Sequence, residues 1–221
     1  MSWCHVHACV NMPTLFHFMP QQQKSRIILA SDSPRRRQLL AEAGYYFKVI
    51  PSDVDESKVS VSGHDVCQYA KLLALAKAKN VAQKHPDCLV IGADTIVDFA
   101  GQIIGKPVTA QDAELITRKL FSAPHKVITG LAIVRLTDNT ELIDCDVTVV
   151  YPKHLTDEQI AEHIKGGSWR DKAGAYAIKC RQASPSGETG DEFVERIDGS
   201  LTNVMGLPME LLHRMLNTLI G

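Results

Sequence analysis

A short apolar run followed at once by a capped helical pattern constrains the fold more than any other stretch of this sequence. Residues 26–30 (RIILA) predict a buried strand, and Ser33 and Pro34 are typical of the N-cap and first residue of a helix. Gly44 ends that helix, and residues 45–50 predict a second strand. A strand, a turn and a helix in direct succession indicate a chain that mixes strands and helices.

Strand and helix patterns alternate along the rest of the chain. The dipeptide Ala100-Gly101 predicts a tight hairpin turn, in which the numbers of paired residues sum to about 201. Residues 166–190 are rich in Gly, Ser and Pro and predict loops. The sequence therefore predicts an α/β fold with a mixed twisted sheet and flanking helices. The other helices are expected at 65–84, 110–121, 156–164 and 208–219, and the other strands at 89–91, 96–99, 102–104, 126–136, 141–151 and 193–197.

Composition and charge exclude several classes of protein. The 221 residues are 45% hydrophobic, which is enough for one large domain or two small lobes. The net charge of −1 argues against wholesale binding to a nucleic acid polymer or an anionic membrane, and no apolar run reaches the roughly 20 residues of a membrane helix. Six scattered cysteines without a CxxC pair predict free thiols in a reducing compartment, and we expect a cytoplasmic protein.

The first residues form an unusual segment. Residues 1–23 contain no Lys, Arg, Asp or Glu, which is typical neither of a secretory signal nor of a mitochondrial presequence. We predict a variable extension over residues 1–24, followed by one domain over residues 25–221. A cluster within the extension could bind a metal, but its members are too close in sequence to surround one tetrahedral ion easily: Cys4, His5, His7 and Cys9.

Three arginines stand where a helix disfavours positive charge. Arg35, Arg36 and Arg37 fall in the first helical turn, where the helix dipole costs about 0.3–1 kcal/mol for each cation. An anion bound by the free backbone N–H groups and the guanidinium groups would reverse that cost. The alternative is a first turn whose arginines extend into water, and this stretch alone leaves both open.

Asp94 is a candidate for metal binding or proton transfer. It follows an apolar run and a Gly-Ala pair, which places it at the carboxyl end of a buried strand, where the ligands of α/β proteins gather. In the hairpin register it lies opposite Lys106 or Pro107, at the same rim. A carboxylate and an ammonium there suit metal–phosphate chemistry. An Asp-Thr turn and a plain surface ion pair are the structural alternatives.

Two further groups of charged residues could belong to a site. Lys77 lies in an apolar helical stretch (LLALAKAKN), so its side chain either reaches water along the helix or points into a site. The cluster of Asp53, Asp55 and Glu56 could supply a ligand for Mg²⁺ or form a solvated loop. The sequence has no GxxxxGK[ST], no GxGxxG after a strand, no HExxH and no GxSxG, which excludes those phosphate-binding and hydrolase motifs.

Several blocks of sequence, taken together, resemble the Maf family of nucleoside triphosphate pyrophosphatases. Each block is weak alone, but their shared order is specific, and the resemblance covers about residues 26–219. In chain order the blocks are LASDSPRRRQLL, Asp55-Glu56, LALAKA, GADTIV, GKP, DKAGAYAI and IDGSLTNVMGLP.

The resemblance implies a fold, a reaction and a set of site residues. The fold would have two lobes around a central nucleotide-binding cleft, as in Maf and ITPase proteins. The reaction would be hydrolysis of a nucleoside triphosphate to the monophosphate and pyrophosphate, with Mg²⁺ or Mn²⁺. The nucleotide is the expected partner, and a homodimer is left open. Asp94 matches the general base and, with Glu56, a metal ligand, whereas the residues that match the substrate-binding positions are Ser31, Arg35, Arg36, Lys77 and Lys106.

Members of the family divide between those that act on dTTP and UTP and those that act on 7-methyl-GTP. Thr95, Arg35 and the GAYAI stretch resemble the first class, so we expect dTTP and UTP, with modified pyrimidine nucleotides as a further option, and we expect Thr95 to be a further substrate-binding residue. Lys179 departs from the Gln of the first class and the Glu of the second, and we expect its donor-only side chain to contact the base.

Three alternatives to a dTTP/UTP pyrophosphatase accompany this resemblance. One is a 7-methyl-GTP pyrophosphatase, and another is a non-catalytic nucleotide-binding regulator of cell division. The third is a general phosphatase, which would release inorganic phosphate instead of pyrophosphate. A carboxylate beside a triphosphate repels it unless a metal or a reaction needs the carboxylate. Asp94 therefore favours an enzyme over a regulator.

Overall fold

The computed structural model describes residues 26–59, 65–170, 172–179, 183–184 and 186–219, so the predicted extension and its Cys-His cluster lie outside the described residues. The strands are β1 (Ile27–Leu29), β2 (Phe47–Val49), β3 (Leu89–Phe99), β4 (Gln102–Ile104), β5 (His125–Arg135), β6 (Thr140–Pro152) and β7 (Val194–Asp198). The α-helices are α1 (Pro34–Glu42), α2 (Val66–Ala82), α3 (Ala110–Leu120), α4 (Asp157–Gly166), α5 (Leu201–Val204) and α6 (Met209–Asn217), and 3₁₀ turns cover Glu56–Lys58 and Ala173–Ala175.

The strands form one mixed sheet with the order β2-β1-β3-β5-β6-β7, and β4 pairs separately with β3. β1 is parallel to both β2 and β3. The pairs β3–β5, β5–β6 and β6–β7 are antiparallel. The predicted α/β class with a mixed sheet and flanking helices is therefore confirmed. None of the described helices is both long and apolar enough to cross a bilayer.

The hairpin between β3 and β4 forms in the predicted register. Val97 pairs with Ile104 and Phe99 with Gln102, so that both sums are 201. The turn residues Ala100 and Gly101 have φ angles of 52° and 83°. Two successive positive φ values are the geometry of a type I′ turn, which matches the twist of the strands it joins.

Strand β3 is longer than predicted, and this changes the position of Asp94. We expected a strand that ended before Asp94, but β3 runs without interruption from Leu89 to Phe99 and Asp94 lies at its middle. Strand β1, which is parallel to β3, ends near this point, because it pairs with β3 only as far as Ile91. The prediction that Asp94 lies at the carboxyl end of its own strand is therefore wrong, although the neighbouring strand β1 ends close by.

The uneven strand lengths leave an opening on one edge of β3. β5 occupies the other edge, from Val90 to Asp98. On the opening's side, β1 covers Leu89–Ile91 and β4 covers Val97–Phe99. The stretch Gly92–Ile96 lies between these two partners, and we call its edge the notch. Because side chains alternate across a strand, both faces of the sheet can reach the notch.

The core divides along β3 into two parts. On the face away from α2, the first half of β3 packs through Ile91 with α1 and α6, in a cluster that includes Leu40 and Leu212. The second half packs through Val97 with a separate cluster that includes Leu120. On this face the notch lies between the two clusters, and the division into two lobes stays a prediction.

Helix α2 packs on the other face of the sheet, with its backbone unusually close to the backbones of β3 and β5. A Cβ atom on Gly92 would lie 2.3 Å from the carbonyl oxygen of Ala74, and one on Gly130 would lie 2.2 Å from that of Ala70. Real Cβ atoms do not approach backbone so closely, so the two glycines allow the helix to rest directly on β3 and β5. The approach sets the height of every α2 side chain above the sheet.

A disulfide joins the same helix to the sheet. Cys67 in the first turn of α2 bonds to Cys145 on β6, across a sequence separation of 78 residues. The prediction that the cysteines are all free thiols is therefore wrong for these two. Sequence spacing could not show the pairing, because α2 and β6 meet only when the sheet is assembled. Cys88 remains a buried free thiol.

Adding a methyl group at Gly130 tests the close approach of α2. Gly130→Ala should lower the free energy of unfolding by about 1–3 kcal/mol, because the helix backbone would have to move. Urea unfolding measures the change. Gly166→Ala in α4 is the matched control, since a Cβ there meets nothing within 4 Å, and its stability should not fall. Equal losses in the two variants would contradict this account of α2.

Reducing the disulfide should destabilise the protein. The bond closes a long loop in the unfolded chain, which is worth about 2–4 kcal/mol. Urea unfolding with and without dithiothreitol should therefore give different midpoints. In the double variant Cys67→Ser/Cys145→Ser the reductant should have no effect, and a shift there would show that another thiol is responsible.

Candidate active site

Four elements bring polar or charged side chains to the notch. Ser31 follows β1, Glu56 opens the 3₁₀ turn after β2, Lys77 lies on α2 and Lys106 follows β4. Each position is a strand end or a helix face, where the backbone holds the side chain in one direction. Asp94 on β3 lies at the centre of this group.

Lys77 joins the two carboxylates of the notch. Its ammonium lies 2.5 Å from Asp94 Oδ1 and 2.7 Å from Glu56 Oε1. The side chains of Lys77 and Asp94 are each only 12% exposed. The ammonium therefore points into the site instead of reaching water along the helix. Removing two charges from water costs much free energy, which offsets the attraction between them. A buried ion pair is therefore weak evidence for a stabilising role and better evidence for a functional site.

Glu56 is surrounded by positive charge. Burial raises the pKa of its carboxyl group, but the hydrogen bond from Lys77 and the charges of Lys77, Lys106 and Arg36 outweigh that effect and lower the pKa overall. Lys106 is exposed and close enough for its charge to act on Glu56. Lys106 follows β4 in the predicted hairpin register, and the ammonium that bonds to Asp94 belongs to Lys77.

The other residues of the predicted acidic cluster have structural roles. Asp55 caps the 3₁₀ turn by accepting hydrogen bonds from the backbone N–H and the hydroxyl of Ser57. Asp53 lies 3.6 Å from Lys84 at the surface. Of the three acidic residues, Glu56 is the one that meets Lys77.

Arg36 approaches the notch from the opposite face of the sheet. Its Nε donates to the carbonyl of Gly206 at 2.7 Å, Nη1 to Ser31 Oγ at 3.1 Å and Nη2 to Thr95 Oγ1 at 3.0 Å. Burial lowers the pKa of the guanidinium, and the charges of Asp94 and Glu56 partly restore it. Arg36 therefore holds α1, β3 and the segment after α5 together at the edge of the notch.

Thr95 links Arg36 to a polar chain that sequence reasoning missed. Its hydroxyl lies 3.0 Å from that of Thr129, which donates to the carbonyl of Asn203 at 3.2 Å. Asn203 is fully buried, and its side-chain amide donates to Thr148 Oγ1 and to the backbone of β5. Since Thr95 and Thr129 pair across β3 and β5, their contact depends on a strand register that separate segments of sequence do not reveal.

Arg35 turns from the first turn of α1 toward the loop after α4. Its Nη2 donates to the carbonyl of Ile178 at 2.8 Å. Burial lowers the pKa of its guanidinium, and the charge of Asp191 partly compensates. Arg37 is exposed. The three consecutive arginines therefore have different surroundings: one at the centre of a bonded network, one against a distant carbonyl and one in solvent.

Lys179 is exposed, and its ammonium lies beside the carboxylate of Glu192. Its ammonium is 2.6 Å from Glu192 and 5.6 Å from the centre of the Phe193 ring. Its backbone N–H donates to Asp191 at 2.6 Å. A base contact by Lys179 would therefore require its ammonium to be shared with Glu192 or to leave it, and that contact stays a prediction.

The notch has ligands that suit a divalent cation. Two carboxylates, Asp94 and Glu56, converge on one ammonium, and oxygen ligands are those that Mg²⁺ and Mn²⁺ prefer. Among the described residues no group of three or more His, Cys, Asp or Glu side chains could hold a metal alone. Mg²⁺ commonly uses one or two carboxylates together with substrate phosphates, so the residues present fit such an ion.

Comparison with known proteins gives a consistent result. The chain is 45% identical over 188 residues to a dTTP/UTP pyrophosphatase from Geotalea uraniireducens (strain Rf4), covering 85% of this chain and 92% of that protein. It is 40% identical over 191 residues to one from Elusimicrobium minutum (strain Pei191), covering 86% and 97%. A solved HAM1 protein from Coxiella burnetii aligns weakly, with a TM-score of 0.38 and 17% identity over 59% of this chain and 74% of that one. The family model for Maf-like proteins matches residues 26–219, and this chain belongs to that family.

Proposed function

We propose that this protein hydrolyses dTTP and UTP to the nucleoside monophosphate and pyrophosphate. The observation that carries the proposal is the Lys77 bridge between Asp94 and Glu56, at an edge of β3 that Arg36 also reaches from the opposite face. The curated relatives at 40–45% identity, which are named dTTP/UTP pyrophosphatases, support the choice of nucleotide.

The chain's own residues suffice to assign the main roles. Ser31 and the amino-terminus of α1, with Arg35 and Arg36, would bind the phosphates. Asp94 would take the proton of a water that attacks the α-phosphorus. The bond from that phosphorus to the β-phosphate oxygen then breaks, and pyrophosphate leaves. Lys77 and Lys106 would stabilise the negative charge that develops on it.

Asp94 has an oxygen suited to the proton transfer. The hydrogen bond from Lys77 uses Oδ1, which leaves Oδ2 for a water molecule. The same bond fixes the direction of the carboxylate, so Lys77 would orient the base as well as contact a phosphate. We expect a bound Mg²⁺ or Mn²⁺, held by Asp94 and Glu56, to supply charge neutralisation of the phosphates and to acidify water.

Product analysis is the experiment that tests the proposal first. The protein would be incubated with Mg²⁺ and, separately, with dTTP, UTP, CTP, GTP, ATP and 7-methyl-GTP, and pyrophosphate and free phosphate would be assayed independently. Pyrophosphate from dTTP or UTP is the expected result. Pyrophosphate from 7-methyl-GTP alone would overturn the proposed substrate and keep the reaction. Binding without turnover would indicate a nucleotide-binding regulator.

Removing the negative charge of Asp94 should separate binding from chemistry. Asp94→Asn should lower kcat by about 10²–10⁴-fold, because an amide cannot accept the proton of water, while nucleotide binding is retained. Steady-state kinetics and calorimetric binding measure the two effects. Asp53→Asn, which changes a surface carboxylate of the same chain, is the matched control and should keep full activity. Full turnover in Asp94→Asn would contradict the assignment of the base.

Neighbouring arginines allow a matched test of the phosphate site. Arg35→Ala should lower kcat/KM for dTTP by about tenfold or more, because a guanidinium would no longer bind the substrate. Arg37→Ala, in the same helical turn but exposed, should change it less than twofold. Equal effects would indicate that only the total charge of the turn matters.

Location and assembly are further proposals. We propose a cytoplasmic enzyme that acts on a free nucleotide, and a homodimer remains an option for its assembly. The disulfide between Cys67 and Cys145 argues for a test of the location, since disulfides are rare in reducing compartments. Fractionation of cells, followed by mass spectrometry of alkylated peptides, would report both where the protein lies and whether this bond is formed there. Light scattering would give the oligomeric state.

A further inference from the structure

Asp191 is a buried carboxylate that no part of the proposed reaction uses. It is 3% exposed, in the loop before β7. Its Oδ1 accepts hydrogen bonds from the backbone N–H groups of Phe193 at 2.9 Å and Val194 at 3.3 Å, and its Oδ2 accepts from that of Lys179 at 2.6 Å. Buried carboxylates need such donors, because desolvation of an isolated charge is costly.

The three hydrogen bonds have different purposes. The bonds to Phe193 and Val194 join near neighbours in sequence and are typical of an Asp that shapes its own turn. The bond to Lys179 spans 12 residues and connects this turn to the segment that follows the Ala173–Ala175 turn. Turn formation does not require it.

The long-range bond acts on the peptide group that Arg35 contacts. The N–H of Lys179 and the carbonyl of Ile178 belong to one peptide unit, which is planar. Asp191 accepts from the N–H at one end, and Arg35 donates to the carbonyl at the other end at 2.8 Å. Fixing the N–H therefore fixes the direction of the carbonyl. A negative charge at the N–H also polarises the peptide and makes its oxygen a better acceptor.

We propose that Asp191 is a positioning residue, which orients Arg35 for the triphosphate through the peptide between Ile178 and Lys179. This inference rests on the proposed function, because it assumes that Arg35 binds the nucleotide. Asp191 itself does not touch the substrate. Its effect should therefore appear in binding and should depend on the presence of Arg35.

The loop has other contacts that should keep it folded when Asp191 is changed. The backbone N–H of Asp191 donates to Thr189 Oγ1, and its carbonyl accepts from the ammonium of Lys153. In Asp191→Asn the amide oxygen can keep the two bonds at Oδ1, whereas the amide N–H₂ group would face the N–H of Lys179, donor against donor. The substitution thus removes the long-range bond, together with the charge of Asp191 that acts on Arg35.

The test measures binding of thymidine 5′-(α,β-methylene)triphosphate, whose α–β link cannot be hydrolysed, by calorimetry. We expect Asp191→Asn to weaken binding about tenfold. Glu195→Gln is the matched control, because it removes one exposed charge on β7 and should change binding less than twofold. Asp191→Ser, which can keep a turn bond but cannot reach Lys179, should reproduce the loss and serves if the Asn variant does not fold.

A second background separates positioning from general damage to the loop. In Arg35→Ala, Asp191→Asn should cause less than a twofold further loss, because the group it positions is absent. A tenfold loss in both backgrounds, or no loss in either, would overturn the inference. Wild-type protein that binds the analogue but releases no pyrophosphate from dTTP would refute the proposed function and leave the inference standing. Wild-type protein that neither binds the analogue nor releases pyrophosphate from dTTP would refute both.

Discussion

The contact of α2 with the sheet is the interaction on which the site depends. Gly92 and Gly130 let the helix backbone rest on β3 and β5, and only at that height does Lys77 reach Asp94. Any side chain at either glycine would push the helix away from the sheet, and the ammonium of Lys77 with it. The disulfide holds the first turn of the same helix to β6, so its position is fixed by packing and by a covalent bond.

Unequal strand lengths create the opening in the sheet at which the contact between Lys77 and Asp94 lies. A long β3 flanked by two short partners exposes one stretch of edge in the middle of the sheet. Asp94 faces α2 and Thr95 faces α1, so neighbouring residues of one strand collect different chemistry: carboxylates and Lys77 on one face, Arg36 on the other. The notch is where these two sets meet, and it needs no long loop to form.

Local signals predicted much of this arrangement, and long-range contacts did not follow from them. The Ala100-Gly101 turn fixed the register of β4, and Ser33 with Pro34 located α1, because both depend on a few adjacent residues. The resemblance to a family indicated candidate site residues, but not their hydrogen-bond and ion-pair partners. The bridge from Lys77 to both carboxylates, the disulfide and the acceptors of Arg36 join segments far apart in sequence. These contacts form only when the sheet is assembled, so the hydrophobic periodicity of single segments cannot predict them.

The charges of the site explain why a metal belongs to the proposal. Three cationic side chains (Arg36, Lys77 and Lys106) lie close enough for their charges to act on Glu56, the neighbour of Asp94 in the notch. Lys77 already has both carboxylates as partners, and Arg36 has three protein acceptors. Lys77 would share its ammonium with a phosphate more readily when a divalent cation also neutralises Asp94 and Glu56. Binding of the nucleotide and of a divalent cation should therefore be coupled through Lys77, which keeps its bond to Asp94.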